Sequence, residues 1–264
     1  MSSASSRFWL WRLPAAIGVL ATLLFGAGFW IAVRGAVGSP LGEAPPPARP
    51  EPESAMKKGG RLLLVLGDSL ARGTGDEMGR GFAADVLDGL KKRGPVQIAN
   101  FAVNGAESTE VKELVERPNV RSVAASADWI LLSVGGNDLS HAAPRGGASP
   151  AAPVESVARA RASFAENLRA ILSSLRDANP SAPIRVLGLY DPFEGDGGPS
   201  RLGASVILGW NSVLSETALS YRDVVVVPSF DLFQLHPDRL AVDRFHPNRA
   251  GYALIAARFL QVLG

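Results

Sequence analysis

Four short polar clusters in this chain follow aliphatic runs: Gly67-Asp68-Ser69, Asn104-Gly105, Gly135-Gly136-Asn137-Asp138, and Asp243-Arg244-Phe245-His246-Pro247-Asn248. Their residue types match the needs of one kind of chemistry. A serine hydroxyl attacks a carbonyl carbon poorly unless a base takes its proton. Ser69 is the candidate nucleophile and His246 the candidate base. Asp243, three residues earlier in a turn that Pro247 and Asn248 close, is placed to curl back onto the same ring and hold its tautomer. The oxyanion that develops during attack needs donors aimed at it. The backbone N–H groups of Ser69 and Gly105 and the side-chain amide of Asn137 are the candidates.

Each of these residues has a plainer reading. Ser69 resembles a helix cap, Gly105 a turn glycine, Asn137 and Asp138 turn or cap residues, and His246 a packed surface histidine. The chemical reading rests on their occurring together, with Asp68 and Asp138 read as scaffold. His141 and His236 are read as loop residues. Phe82, Leu139, Phe193, Trp210 and Phe245 are candidate linings for an acyl pocket, although core packing is the more economical expectation for each. Asp68, Asp138 and Asp191 are the acids a bound cation would use, but no metal and no cofactor is expected. The elbow motif G-x-S-x-G is absent, because Ala71 stands where its last glycine would be. The "GTGDEMG" stretch fails as a dinucleotide fingerprint, since its third glycine comes one residue late.

Something must bring those clusters to one place. Aliphatic runs at 61–66, 96–103, 128–134, 183–189 and 223–228 read as five strands, several apolar without alternation, as strands covered on both faces are. Helical patterns fill the intervals at about 79–93, 107–125, 154–178, 203–221 and 248–263. In the third, Val157, Phe164, Leu168, Ile171 and Leu175 form one stripe, and Asn179-Pro180 ends it. Alternation of strand and helix predicts a mostly parallel, doubly wound α/β sheet with right-handed crossovers. Such sheets bind ligands beyond the carboxyl ends of their strands, where the polar clusters fall.

The segments "GDSL", "NGAES", "GGNDL" and "DRFHPN", in this order, resemble the four signature blocks of the SGNH (GDSL) hydrolases, over about residues 61–255. The resemblance is nearest to lysophospholipase-like bacterial esterases. It implies Ser69 as nucleophile, Gly105 and Asn137 as oxyanion donors, and Asp243 with His246 completing a triad. It also implies a flavodoxin-like three-layer sandwich with strand order 2-1-3-4-5.

With 264 residues and 47% hydrophobic content, the chain has room for one medium α/β domain plus appendages. A formal charge of +2 gives no reason to expect nucleic acid. The absence of cysteine excludes disulfides, thiolate catalysis and zinc–thiolate sites. Leu13 to Val33 runs without a charged residue, which as a helix spans about 30 Å, one hydrocarbon thickness. Trp9, Trp11 and Trp30 lie near its ends, where amphipathic rings favour the interface. A signal-anchor helix at 13–33 is expected, behind a short flank at 1–12. A cleaved signal peptide, with Ala36-Val37-Gly38 as its processing site, is the rival. Clustered prolines make 34–59 an extended stalk, leaving 60–264 as the hydrolase domain.

The expectation is a single-pass membrane protein whose catalytic domain faces out of the cytoplasm and cleaves small, lipid or glycan-borne esters or thioesters. Two alternatives remain: an O-acyltransferase or deacetylase working on envelope polysaccharide, and a non-catalytic binding module on a stalk. Oligomeric state is not legible.

Overall fold

The strand β1, Arg61–Gly67, is buried on both faces from its second residue onward, because each face meets a layer of helices. Its alternate side chains separate the two cores, as a period of two requires. Leu64 and Leu66 enter one cluster with Val111, Phe164, Leu168 and Trp210. Leu63 and Val65 enter another with Phe82, Val86, Ile255 and Phe259. The computed structural model describes residues 60–142, 152–192 and 201–263. The segments expected as anchor (13–33) and stalk (34–59), and Phe193, lie outside the described residues.

The other strands are β2 (Val96–Asn100), β3 (Trp129–Ser133), β4 (Ile184–Leu187) and β5 (Val224–Val227). All pair in parallel, in the order β2-β1-β3-β4-β5. That is the expected topology, and it puts β1 between β2 and β3, where the strand order reverses.

The helices in chain order are α1 (Ser69–Arg72), α2 (Gly81–Lys91), α3 (Ser108–Val115), α4 (Pro118–Ser126), α5 (Gly136–Ala142), α6 (Ala152–Ala178), α7 (Arg201–Ala218), α8 (Phe230–Phe233) and α9 (Arg249–Val262). Residues of α3, α4, α6 and α7 cover one face; residues of α2 and α9 cover the other, where Phe82 stacks on Phe259 with ring centroids 4.9 Å apart.

One expected helix is two. The run 107–125 divides between α3 and α4 because Pro118 forces Arg117 out of the helical region, to φ −65° and ψ 134°. Pro118 then opens α4 at a position where its missing N–H costs nothing. Asn179 also does more than stop α6. Its buried amide donates to the carbonyls of Ala124 (2.8 Å) and Ala127 (2.9 Å), and its oxygen accepts from the N–H of Ala182 at 2.9 Å. One side chain thus joins the ends of α4 and α6 to the start of β4.

Candidate active site

The chain leaves β1 through Gly67, whose φ is +128° and whose position a Cβ could share only at 1.9 Å from the Ser133 carbonyl oxygen on β3. A side chain there would drive β1 from its neighbour, so the turn that presents Ser69 needs glycine. Asp68 follows, 2% exposed. Its Oδ1 accepts from the Leu70 N–H (3.0 Å) and from Ser133 Oγ (2.7 Å). Asp68 is therefore the cap of α1, which releases the Ser69 hydroxyl from that task. Burial pushes the Asp68 carboxyl up to about 6, against the hydrogen bonds from Ser133 and Leu70.

The released hydroxyl lies 2.8 Å from His246 Nε2. On the other side of the ring, Nδ1 is 2.6 Å from Asp243 Oδ2. The second carboxylate oxygen, Oδ1, accepts from the backbone N–H of Phe245 (2.9 Å) and of His246 (3.0 Å). An acid three residues before the histidine thus closes a tight loop on it, and the Ala241 N–H donating to the His246 carbonyl at 2.7 Å closes it further. Burial would raise the Asp243 carboxyl, but the hydrogen bonds from His246 and the two N–H groups outweigh it and hold the group below its ordinary value. An ionised acid against Nδ1 keeps the proton there and leaves Nε2 facing Ser69 as an acceptor.

The turn after Ser69 and the histidine loop touch at Gly75 (φ +96°). A Cβ there would sit 2.6 Å from His246 Cβ and 2.7 Å from the Pro247 carbonyl oxygen. The Tyr252 hydroxyl donates to the Thr74 carbonyl at 2.6 Å, and that of Tyr190, at the end of β4, donates to the Phe245 carbonyl at 2.6 Å. Arg249 adds charge to the same junction, bridging Asp85 at 2.6 Å and Asp76 at 3.3 Å.

Gly105 lies in the exposed loop after β2, and Asn137 near the start of α5, which follows β3. Asn137 Nδ2 donates to the carbonyl of Ala106, the residue after Gly105, at 2.9 Å. An amide carries two N–H groups, so this anchoring leaves a second donor on Asn137. The same junction is held by Asp138, which accepts from the N–H of Ser108 at 3.0 Å and from its hydroxyl, while Asn167 Nδ2 reaches that hydroxyl at 3.0 Å. Burial raises the Asp138 carboxyl, with Ser108 opposing it. Asp138 is a strut between α3 and α5. His141 joins it by pairing with Glu107, and His236 stays on the exposed loop, 3.5 Å from Asp238.

The apolar candidates scatter. Phe82 and Trp210 are core residues, fully buried on opposite faces of the sheet, Trp210 against Phe164. Aromatic bulk in a helix facing a sheet reads the same in sequence whether it packs a core or lines a pocket. Leu139 is half-buried against the Trp210 side, and Phe245 meets the His246 ring edge-on at 5.0 Å. The residues that sequence reasoning missed are Tyr190, Tyr252 and Thr74. Their one legible signal is position, since Tyr190 directly follows an apolar strand run and Thr74 lies in the turn behind Ser69.

A parallel three-layer sheet with a polar cluster at its carboxyl rim defines the broad class of doubly wound α/β proteins. More particularly, the profile of the GDSL-like Lipase/Acylhydrolase family matches residues 65–254, and the chain belongs to that family. It is an esterase or lipase of the GDSL type. It is 28% identical to YpmR of Bacillus subtilis over 208 residues, 76% of this chain and 81% of that one. It is 25% identical to the spore germination lipase LipC of Bacillus licheniformis over 204 residues, 74% of this chain and 92% of that one. Among solved structures, the lipase Lip_vut3 from a goat rumen metagenome shares the fold with a TM-score of 0.67 at 22% identity, covering 76% of this chain and 97% of that one.

Proposed function

We propose that the chain is a membrane-tethered, extracytoplasmic serine hydrolase that cleaves carboxylic esters or thioesters through an acyl-enzyme. The observation that carries this reading is the continuous line from Asp243 Oδ2 through the His246 ring to Ser69 Oγ, with spacings of 2.6 and 2.8 Å. Ser69 Oγ attacks the acyl carbon as Nε2 takes its proton, and Asp243 balances the imidazolium. The tetrahedral oxyanion is met by the N–H groups of Ser69 and Gly105 and by the second N–H of Asn137. As the tetrahedral species collapses, the leaving alkoxide or thiolate takes the proton from Nε2. Water then enters, gives a proton to the same nitrogen and releases the acid, returning the hydrogen to Ser69.

The uncharged run at 13–33 supports a single membrane anchor and the proline-rich 34–59 a stalk, with 60–264 as the catalytic domain. A substrate of lipid character suits a domain so tethered, and the lipase name of LipC agrees with it. The test is a chain-length series of p-nitrophenyl esters and lysophospholipids against the full chain in detergent, with Ser69→Ala and Asn137→Ala beside it. The expected result is ester cleavage reduced by several orders of magnitude in Ser69→Ala and by about 10²–10³ in Asn137→Ala. Cleavage that survives Ser69→Ala would defeat the reading. Acyl transfer to an added sugar hydroxyl in place of hydrolysis would reassign the acceptor while leaving the nucleophile standing.

A further inference from the structure

We propose that Tyr190 and Tyr252 are positioning residues of the triad, two buried phenols that set the separation of Ser69 and His246 by holding the backbone beside each. The inference rests on the serine-hydrolase reading above and goes beyond it, because neither tyrosine belongs to a signature block.

The hydrogen bonds from Asp243 and Ala241 make residues 241–246 a self-closed loop. Internal bonds fix the shape of such a loop but do not fix where it sits relative to the sheet. Tyr190 does. It extends from the carboxyl end of β4, its ring stacks on Phe233 at 4.1 Å, and its hydroxyl reaches the carbonyl of Phe245, the residue before the base. The bond spans 55 residues of sequence.

Tyr252 makes the matching bond on the nucleophile side. Thr74, whose carbonyl accepts its hydroxyl, donates its own N–H to the Ser69 carbonyl at 3.0 Å. Tyr252 is fully buried on α9, six residues after the histidine it complements. Gly75, one residue beyond Thr74, is pressed against His246 Cβ, so the two held segments meet.

Both phenols are suited to act as fixed donors. Burial, with nearby carboxylates adding to it, pushes each hydroxyl above its ordinary value, so both stay protonated wherever the enzyme works. The geometry they hold is sensitive, because proton transfer from Ser69 requires hydrogen-bonding distance to Nε2, and displacement of about 1 Å costs on the order of 10² in rate.

The test compares Tyr190→Phe and Tyr252→Phe with Tyr221→Phe, in the full chain. Tyr221 is a matched control, since its hydroxyl also donates to a backbone carbonyl, that of Arg169 at 2.8 Å, away from the triad. Phenylalanine keeps each ring in place and removes only the donor. The measurements are kcat and KM on a short p-nitrophenyl ester, the rate of fluorophosphonate labelling, and Tm. The expected result is a fall in kcat of about ten- to a hundredfold for Tyr190→Phe and Tyr252→Phe, an equal fall in labelling rate, and KM within about twofold of wild type. Tyr221→Phe keeps wild-type kcat.

If the two site variants lose Tm as Tyr221→Phe does and keep kcat and labelling rate, the tyrosines only stabilise the fold and the inference is overturned. A rise in KM with kcat unchanged overturns it equally. Wild-type protein that takes no label would sink the serine-nucleophile reading itself, and this inference with it.

Discussion

Asp68 and Asp243 are two acids at one site with opposite displacements, and their surroundings explain the difference. Asp243 is close to half exposed and faces a ring nitrogen and two N–H groups; Asp68 is buried, with one hydroxyl and one N–H on Oδ1. A folded-state value of about 6 for Asp68, against an ordinary 3.8, means that the folded protein binds the extra proton between those values. The sign follows directly: the stability associated with Asp68 is greatest below about pH 4 and is lost as pH rises through about 6, by roughly 3 kcal/mol in all. Asp243 runs the other way, contributing stability at neutral pH that is lost on acidification. Asp68→Asn should therefore remove a falling slope of stability between pH 4 and 7 and leave the protein more resistant to urea at pH 8 than wild type. Urea melts across that range check it; a wild-type slope preserved in the variant would refute the assignment. Ser69, His246 and Asp243 were legible at this scale as a set, because histidine is scarce in the chain, with three in all, and an acid three residues before one of them suits a specific chemistry. The tyrosines were not, because a phenol bonded to a carbonyl 55 or 178 residues away leaves no local trace.

Among the elements, β1 and β3 were legible because a strand buried on both faces is a nearly continuous apolar run between turn residues, whereas the partly exposed edge strands β2 and β5 were legible from short aliphatic and β-branched runs. The short helices α1 and α5 were not. They lack an amphipathic pattern: α1 is a single turn capped locally by Asp68 on the Leu70 N–H, and α5 is held by tertiary bonds to Ala106 and Ser108. The divided helix at Pro118 shows the converse, a local rule overriding an apparent period. Asn179 joins three elements through hydrogen bonds to buried backbone groups. Removing it strands several of them, each costing about 1–3 kcal/mol when left unpaired. Asn179→Ala should lower the free energy of unfolding by about 3 kcal/mol or more, with specific activity of the folded fraction unchanged. Denaturant titration measures it, and a loss below about 1 kcal/mol would show that water replaces the amide.

Across the whole molecule, β1 starts at Arg61, at the amino edge of the sheet, whereas Ser69 and His246 meet at the carboxyl edge. The full chain should sediment with membranes and be released by detergent but not by high salt or carbonate. Recovery in the soluble fraction, lacking residues 1–38, would establish the cleaved signal peptide instead. The larger convergence is within the domain, where residues 177 apart in sequence come to 2.8 Å. The most direct test of that convergence is peptide mass spectrometry of protein treated with a fluorophosphonate. The adduct is predicted on Ser69, absent in Ser69→Ala and formed at least about 10³-fold more slowly in His246→Ala; an adduct on another residue, or an unchanged rate without His246, would contradict it.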